Sequence, residues 1–442
     1  MNFLESTNKM TQKVTIFWFR RDLRLEDNCG LYHALKSDKK VVPIFIFDET
    51  IVNKLPKNDA RVAFIHQELE KIHHQLLKTH SSLFVYFGKP LEVFKEVIQN
   101  FNVESVFTNR DYEPYALQRD EEIKTFLTSK NILFKTYKDQ VFFEKDEIVK
   151  QDQTPYKVYT PYAKKWLEGF TKKGITFYPS EEYIQNFIPK EPQKIITLKE
   201  LGFEKSTIQV APYSFSSQFV NNYEETRNFP AKNSTSKLGT HLRFGTVSVR
   251  KILNQASKNK NTTFLKELIW REFFMQILWH FPKTTKESFK PAYDKIQWRN
   301  NENEFEAWCQ GKTGYPLVDA GIRELNLTGF MHNRVRMLVG SFLCKHLLID
   351  WRWGEAYFAE KLHDYELSSN VGNWQWVAGC GVDAAPYFRI FNPTTQIIKF
   401  DKELQYIKKW VPDFQELTYP RQIVEHTFAR DRCLQTYKEA LK

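Results

Sequence analysis

Residues 14–19 read VTIFWF, a short run in which every side chain except Thr15 is apolar. A run of this length without polar alternation is typical of a strand that is buried on both faces of a sheet. Similar runs follow at VVPIFIF (41–47) and LFVYF (83–87), and shorter ones at Val106–Phe107 and ILFKTY (132–137). These runs predict a sheet at the centre of the N-terminal part of the chain.

Helical patterns separate the strands, at residues 31–37, 59–78, 91–101 and 116–130. Strands that alternate with helices form parallel sheets with right-handed crossovers. We therefore predict a Rossmann-like α/β domain with a five-stranded parallel sheet over residues 13–139. The first turn, RRDLRLEDN (20–28), lacks the GxGxxG pattern, which disfavours a standard NAD site.

The rest of the chain has a different character. Residues 140–205 are rich in Lys, Glu, Pro and Thr and show little periodicity, so we interpret them as a long ordered linker. From residue 206 to 442 helical patterns dominate and predict an all-α domain. The strongest of these patterns predict helices at 264–281 and 330–351.

Composition narrows the class of protein. The net charge is +11 and aromatic residues make up 15% of the chain. This composition suits a nucleic acid, a polyanion with bases that can stack, but does not by itself establish that the protein binds one. Cys29, Cys309, Cys344, Cys380 and Cys433 form no CxxC pair, so no zinc or other metal site is predicted and reduced thiols indicate a cytoplasmic protein. The chain has no apolar run long enough to span a membrane and no apolar segment of a secretory signal, while Met10 is an alternative start.

Four patterns carry candidate chemistry, each with a structural alternative. Glu267, Trp270 and Arg271 share one helix face. They could form a functional site, or they could be an ion pair beside a packed tryptophan ring. Asn333 and Met337 are one turn apart on the next strong helix, which could equally be a core helix. In DYELSSNVGNWQW (364–376), small residues beside Asp and Asn would let a flat ring approach the backbone. The alternative is that this segment is a capped loop. STSKLGTHL (234–242) predicts an anion site or an ordinary N-cap.

Several long segments together resemble the photolyase/cryptochrome family, and most closely its class I cyclobutane pyrimidine dimer photolyases. FWFRRDLRLEDN is similar to the family's first βα turn, and TPYKVYTPYAKKW (154–166) to its linker. The helical half resembles the flavin domain of the family through these segments: LIWREFF, GKTGYPLVDAGIREL, GFMHNRVRM, LLIDWRWGEAYF, NWQWVAGCGVDAAPYFRIFNPTTQ and KFD.

The resemblance implies an N-terminal domain for an antenna chromophore and a helical FAD-binding domain. It implies light-driven repair of cyclobutane pyrimidine dimers in DNA by an electron from photoexcited reduced FAD, by a monomer whose partner is damaged DNA. The antenna could be a deazaflavin, a flavin or a folate, or be absent. Tyr115 and Ala116 replace the Asn-Glu pair of a folate-binding bacterial branch.

The resemblance also implies roles for individual residues. FAD would be held by Tyr223, Thr235, Ser236, Lys237, Leu238, Gly239, Asn333, Arg336, Asp364, Glu366 and Asn370. Asp364 would pair with Arg336, and Asn370 would face the flavin N5. The dimer pocket would consist of Glu267, Trp270, Asn333, Met337 and Trp376. Electrons would pass along Trp298, Trp351 and Trp374. DNA would be contacted by Arg227, Arg271, Arg334 and Arg389.

Some positions depart from the family pattern, and other functions stay open. Glu366 replaces a common Asp, and Phe264 replaces a common Trp. A cryptochrome-type photoreceptor is the main alternative, although the chain has no long signalling tail after residue 440. A (6-4) photolyase would need a catalytic pair of histidines where Met337 lies. A light-independent electron carrier would bind FAD without affinity for damaged DNA.

Overall fold

The predicted sheet is present in the computed structural model, which describes residues 12–442. Its strands are β1 Lys13–Phe19, β2 Lys40–Asp48, β3 Phe84–Gly88, β4 Asn102–Asn109 and β5 Leu133–Tyr137. All neighbouring strands are parallel, in the order β3-β2-β1-β4-β5. The fold-class prediction of a five-stranded parallel α/β domain is confirmed. The alternative starts Met1 and Met10 lie outside the described residues.

Strand β1 shows why the apolar run needs two covered faces. Side chains alternate across a sheet, and Phe17 and Phe19 belong to one core cluster while Ile16 and Trp18 belong to another. All four are at most 2% exposed. The strand therefore lies at the centre of the sheet with a hydrophobic layer on each side.

The helices follow the strands in chain order. Those between strands are α1 Cys29–Leu35, α2 Glu49–Val52, α3 Ala60–Leu77, α4 Pro90–Asn100 and α5 Pro114–Ser129. The later helices are α6 Tyr159–Lys173, α7 Ser217–Thr226, α8 Leu238–Phe244, α9 Val249–Ser257, α10 Thr263–His280, α11 Glu302–Cys309, α12 Pro316–Thr328, α13 Asn333–Ser341, α14 Trp351–Lys361, α15 Leu367–Ala378, α16 Pro393–Phe400, α17 Gln405–Trp410 and α18 His426–Ala440. The helical prediction for the C-terminal half is confirmed.

The chain divides into two compact units that interleave along the sequence. The first contains the described residues up to Glu144, Gly174–Gln209 and His241–Asn254, and the second contains Lys145–Lys173, Val210–Thr240 and Gln255–Lys442. The domain boundaries predicted from the sequence, 13–139, 140–205 and 206–442, divide the chain into consecutive segments, and they stay a prediction. The segment interpreted as a linker is not uniform, because α6 lies within it and belongs to the second unit.

The helix predicted at 330–351 is wrong in its extent. His332 caps α13, which ends at Ser341 and continues only as a π-helical turn, Phe342–His346. Leu348 then adopts a left-handed conformation with φ of 51°, and Asp350 caps α14. Apolar spacing alone could not show this break, because the residues on both sides of it are buried in the same core.

Two further observations concern the whole described chain. Across residues 12–442, no helix is both long and apolar enough to cross a membrane. The thiols of all five cysteines are free, and only Cys309 is less than fully buried.

Candidate functional site

A cleft in the second unit collects many of the predicted cofactor and pocket residues. It has an empty volume of about 610 Å³, part of which is open to solvent. Its lining includes the predicted residues Asn333, Arg336, Met337, Asp364, Glu366, Asn370, Trp374 and Trp376. These residues come from α13, α15 and the loop before α15, so helix packing rather than sequence proximity brings them together.

Arg336 and Asp364 form a two-bond ion pair on the wall of this cleft. Arg336 donates from Nη1 and Nη2 to the two carboxylate oxygens of Asp364, at 3.1 and 2.9 Å. Arg336 Nε also donates to the carbonyl of Met331 at 2.7 Å, which fixes the guanidinium plane. The pairing expected from the sequence is confirmed, and it presents a fixed charge pair to a ligand in the cleft.

Asn370 offers only one kind of hydrogen bond to the cleft. Its Nδ2 amide donates to the Glu355 carbonyl at 3.0 Å and to Glu355 Oε1 at 2.9 Å. An amide NH₂ has two donors, so both are engaged and the free group is the acceptor Oδ1. A ligand beside Asn370 would therefore have to donate a hydrogen bond to it.

The segment 235–239 packs through its glycine against Asp364, a residue of the cleft wall. A Cβ atom on Gly239 would lie 2.8 Å from the Asp364 Cβ and 2.9 Å from its Oδ2, so only glycine permits this approach. Lys237 lies just before α8 with φ of 57°, and burial lowers the pKa of its amine to about 8. None of residues 235–239 is among the residues that line the cleft.

Glu267 of α10 lies in a second cluster of predicted residues. Arg227 donates a hydrogen bond to its carboxylate, and the Arg227 guanidinium lies 5.4 Å from the ring centroid of Tyr223. Burial raises the pKa of Glu267, and Arg227 opposes this only in part. Phe264, one of the departures from the family pattern, packs edge-on against Tyr223 with ring centroids 5.1 Å apart.

Trp270 and Trp376 are not equally placed. Trp376 is half-buried and lines the cleft, whereas Trp270 is not among the lining residues. The ring of Trp270 stacks on Tyr159, a residue that the sequence analysis did not select. Sequence spacing could not reveal this contact, since 111 positions separate the two residues.

The three tryptophans predicted for electron transfer differ in exposure. Trp374 lines the cleft and is 3% exposed, Trp351 is 1% exposed, and Trp298 is half-buried. The indole nitrogens of Trp351 and Trp374 have no hydrogen-bond partner in the described structure. Of the three, Trp374 is the one at the cleft and Trp298 is the one that water can reach.

The four predicted DNA-binding arginines do not form one exposed set. Arg389 is exposed, while Arg334 is half-buried and lies 4.5 Å from the ring centroid of Phe400. The Arg271 side chain is 13% exposed and its Nη2 lies 3.8 Å from the carboxylate of Glu366. Arg227 is engaged with Glu267, so only Arg389 presents a largely exposed side chain in this protein without DNA.

Sequence reasoning missed the residues that orient the site rather than line it. His332 is 2% exposed and its Nδ1 accepts a hydrogen bond from the Arg334 backbone at the start of α13. Burial lowers the pKa of His332 to about 4, so the ring is neutral at pH 7. Its place directly before the motif residue Asn333 was the available signal in the sequence.

These residues fit FAD on the evidence of their chemistry. The cleft combines an ion pair, an acceptor amide and an indole in its lining, and Gly239 lets the backbone pack closely against Asp364. Arg336, Asp364, Glu366 and Asn370 would hold the cofactor there, with Lys237 close enough for its charge to interact with Arg336 and Asp364.

Comparison with known proteins covers almost the whole chain. Residues 15–181 match a family model described as DNA photolyase, and residues 264–418 match the FAD binding domain of DNA photolyase. A deoxyribodipyrimidine photo-lyase of Agrobacterium fabrum is 34% identical and covers 97% of this chain and 98% of its own.

Two solved structures extend the likeness to three dimensions. A bacterial class III photolyase from Agrobacterium tumefaciens has a TM-score of 0.86 at 32% identity, with 99% of both chains covered. An archaeal photolyase from Sulfolobus tokodaii, solved with two FAD molecules, has a TM-score of 0.82 at 34% identity, covering 96% of this chain and 99% of its own. The chain therefore belongs to the photolyase/cryptochrome family.

Proposed function

We propose that this protein uses light to repair cyclobutane pyrimidine dimers in DNA. The observation that carries the proposal is the single cleft in which Asn333, Met337 and Trp376 lie beside the Arg336–Asp364 pair. The residues that the resemblance implies for a damaged base and for FAD thus line the same cleft, within a chain of the photolyase/cryptochrome family.

The chain's residues divide the work of recognition and chemistry. FAD, when bound, supplies the light absorption and the transferable electron. Trp376 and Trp270 offer flat apolar rings against which a flipped dimer can stack, and the Asn333 amide can hydrogen-bond to its carbonyls. Burial raises the pKa of Glu267, which favours its protonated form, and in that form Oε can donate a hydrogen bond to a pyrimidine carbonyl.

The direct test is the loss of dimers from an irradiated oligonucleotide, measured by chromatography with the FAD-loaded, reduced protein in light and in darkness. We expect loss only in light. A photoreceptor role, the main alternative, predicts no loss under either condition. Persistence of the dimers in light with fully reduced FAD would refute the proposal.

DNA binding provides a second readout. A basic protein of net charge +11 should bind irradiated DNA with an affinity that falls with salt, with a slope of roughly −0.9 per phosphate contacted. Arg389, the exposed member of the predicted set, is the first residue to substitute.

The class I assignment, the monomeric state, the cytoplasmic location and a second chromophore belong to this proposal, and an absorption spectrum of the purified protein would test the last.

A further inference from the structure

Helix α6, which lies in the segment interpreted as a linker, brings an aromatic ring to the candidate dimer pocket. Tyr159, its first residue, stacks on Trp270 with ring centroids 3.6 Å apart and planes 5° from parallel. A contact this close and this parallel covers one face of the indole. Any base that stacks on Trp270 must therefore use the other face.

Two hydrogen bonds hold Tyr159 in this position. Its hydroxyl donates to the carbonyl of Lys266 at 2.8 Å, and its backbone nitrogen donates to the Asp383 carboxylate at 3.0 Å. Lys266 lies one turn before Trp270 in α10, so the tyrosine ring is tied to the same helix that it covers. Moving the ring off the indole would break the bond to Lys266.

Helix α6 is itself anchored to α10. Its buried residues Tyr162, Ala163 and Trp166 share a helix face with Tyr159, at spacings of three, four and seven. Trp166 Nε1 donates to the Glu272 carboxylate at 2.6 Å, and both residues are buried. The stack on Trp270 is therefore the end of a packed helix interface and not a loose surface contact.

We propose that Tyr159 is a positioning residue for dimer recognition, which covers one face of Trp270 and fixes the indole plane before DNA binds. The proposal rests on the proposed function, because it takes Trp270 as a wall of the dimer pocket. A side chain that is already ordered loses less conformational entropy on binding, so a fixed platform increases affinity. If Tyr159 instead occupied the position that the flipped dimer takes on Trp270, it would compete with the dimer and lower the affinity for damaged DNA.

The test compares dissociation constants of the FAD-loaded protein for a dimer-containing oligonucleotide and for the same sequence without damage. Tyr159→Ala should weaken binding of the damaged oligonucleotide by about three- to tenfold, the value of one aromatic pair. Its affinity for undamaged DNA should stay within about twofold, since phosphate contacts dominate that binding. In repair assays the loss should raise the apparent KM more than it lowers the saturated rate.

Two variants separate positioning from folding. Tyr159→Phe keeps the ring and loses only the bond to Lys266, so it should recover most of the discrimination. Phe170→Ala removes a ring that stacks on Trp166 further along α6, with centroids 5.0 Å apart, and should leave the ratio of the two affinities unchanged.

Three results would overturn the proposal. First, Tyr159→Ala could bind damaged DNA as tightly as the unaltered protein does, or more tightly. Second, it could lose affinity for damaged and undamaged DNA equally, which would indicate a role in folding alone. Tyr159→Phe could also fail to recover discrimination. If the unaltered protein does not distinguish damaged from undamaged DNA, the proposed function fails first, before any variant is compared.

Discussion

Glu267 is the residue whose protonation matters most for the proposed chemistry. Burial raises the pKa of its carboxyl group, so its protonated fraction at a given pH exceeds that of an exposed glutamate and falls as the pH rises through the raised pKa. Repair yield per absorbed photon should therefore decrease with increasing pH. We expect Glu267→Gln, which donates from a neutral amide at every pH, to show a flat profile across the same range.

The control for this measurement is Glu267→Ala, which removes the donor and leaves the Arg227 guanidinium without its partner. It should lower the repair yield by about tenfold, the effect of a hydrogen bond to a developing charge. Its affinity for damaged DNA should change less than its yield. A larger effect on affinity than on yield would contradict the donor role.

Asn370 gives a prediction about stability. Asn370→Asp removes both donors from Glu355 and places two carboxyl groups about 3 Å apart. We expect the free energy of unfolding to fall by about 2 kcal/mol, and by more at pH 8 than at pH 6, because the pair must then lose the proton it shares. Chemical denaturation at the two pH values measures this.

Asn373→Asp is the matched control, because it makes the same change on the same helix at an exposed position. Its effect should stay within about 0.5 kcal/mol at both pH values. An equal loss in the two variants would show that the Glu355 contact does not stabilise α15.

Residues whose role is direct were easier to predict than residues that act through another side chain. The Arg336–Asp364 pair follows from motif positions and is present as expected. Glu355 and Tyr159 act by holding Asn370 and Trp270, and they lie 15 and 111 positions away from these partners. Such contacts depend on how helices pack, and no local spacing in the sequence reports that.

At the level of elements, two helical glycines make the packing around Trp374 testable. A Cβ on Gly354 of α14 would lie 2.1 Å from Trp374 Cη2, whereas one on Gly340 of α13 would lie 3.5 Å from Trp374 Cζ3 and 3.2 Å from Val377 Cγ2. Gly354→Ala should destabilise the protein by about 1–3 kcal/mol through overpacking, despite the better helix propensity of alanine. Gly340→Ala should destabilise it less, because Val377 would have to shift by only a few tenths of an ångström.

The measurement is the urea midpoint together with the fraction of FAD retained after purification. Gly354→Ala should lower both, because the displaced Trp374 ring lines the cleft. A Gly340→Ala variant as damaged as Gly354→Ala would mean that the two helices do not approach Trp374 as described.

Element boundaries show the same limit of sequence reasoning. Strand β1 and helix α10 were predicted to within one residue at each end, because each is a single uninterrupted pattern. The stretch 330–351 failed because the apolar pattern continues through a π-helical turn and a left-handed Leu348. Helix α6 was missed because only three of its fifteen residues are fully buried, and its charged residues hide the periodicity.

At the scale of the whole molecule, the three tryptophans predict a route for electrons from water to the cleft. Trp374 lines the cleft, Trp351 is buried, and Trp298 is half-buried against the rim of the same core. Trp298→Phe should block light-driven reduction of oxidised FAD, because phenylalanine is far harder to oxidise than indole. It should spare dimer repair by protein whose FAD has been reduced chemically beforehand, since that reaction needs no external electron.

Trp410→Phe provides the control, because Trp410 is also half-buried and packs against the same core cluster. It should photoreduce FAD like the unaltered protein. Absorbance changes of FAD under blue light, with an external reductant, measure the first reaction, and loss of dimers from an oligonucleotide measures the second. If Trp298→Phe lost both reactions, the residue would be needed for the fold or for DNA binding. If it lost neither, electrons would enter the cleft by a route that does not include Trp298.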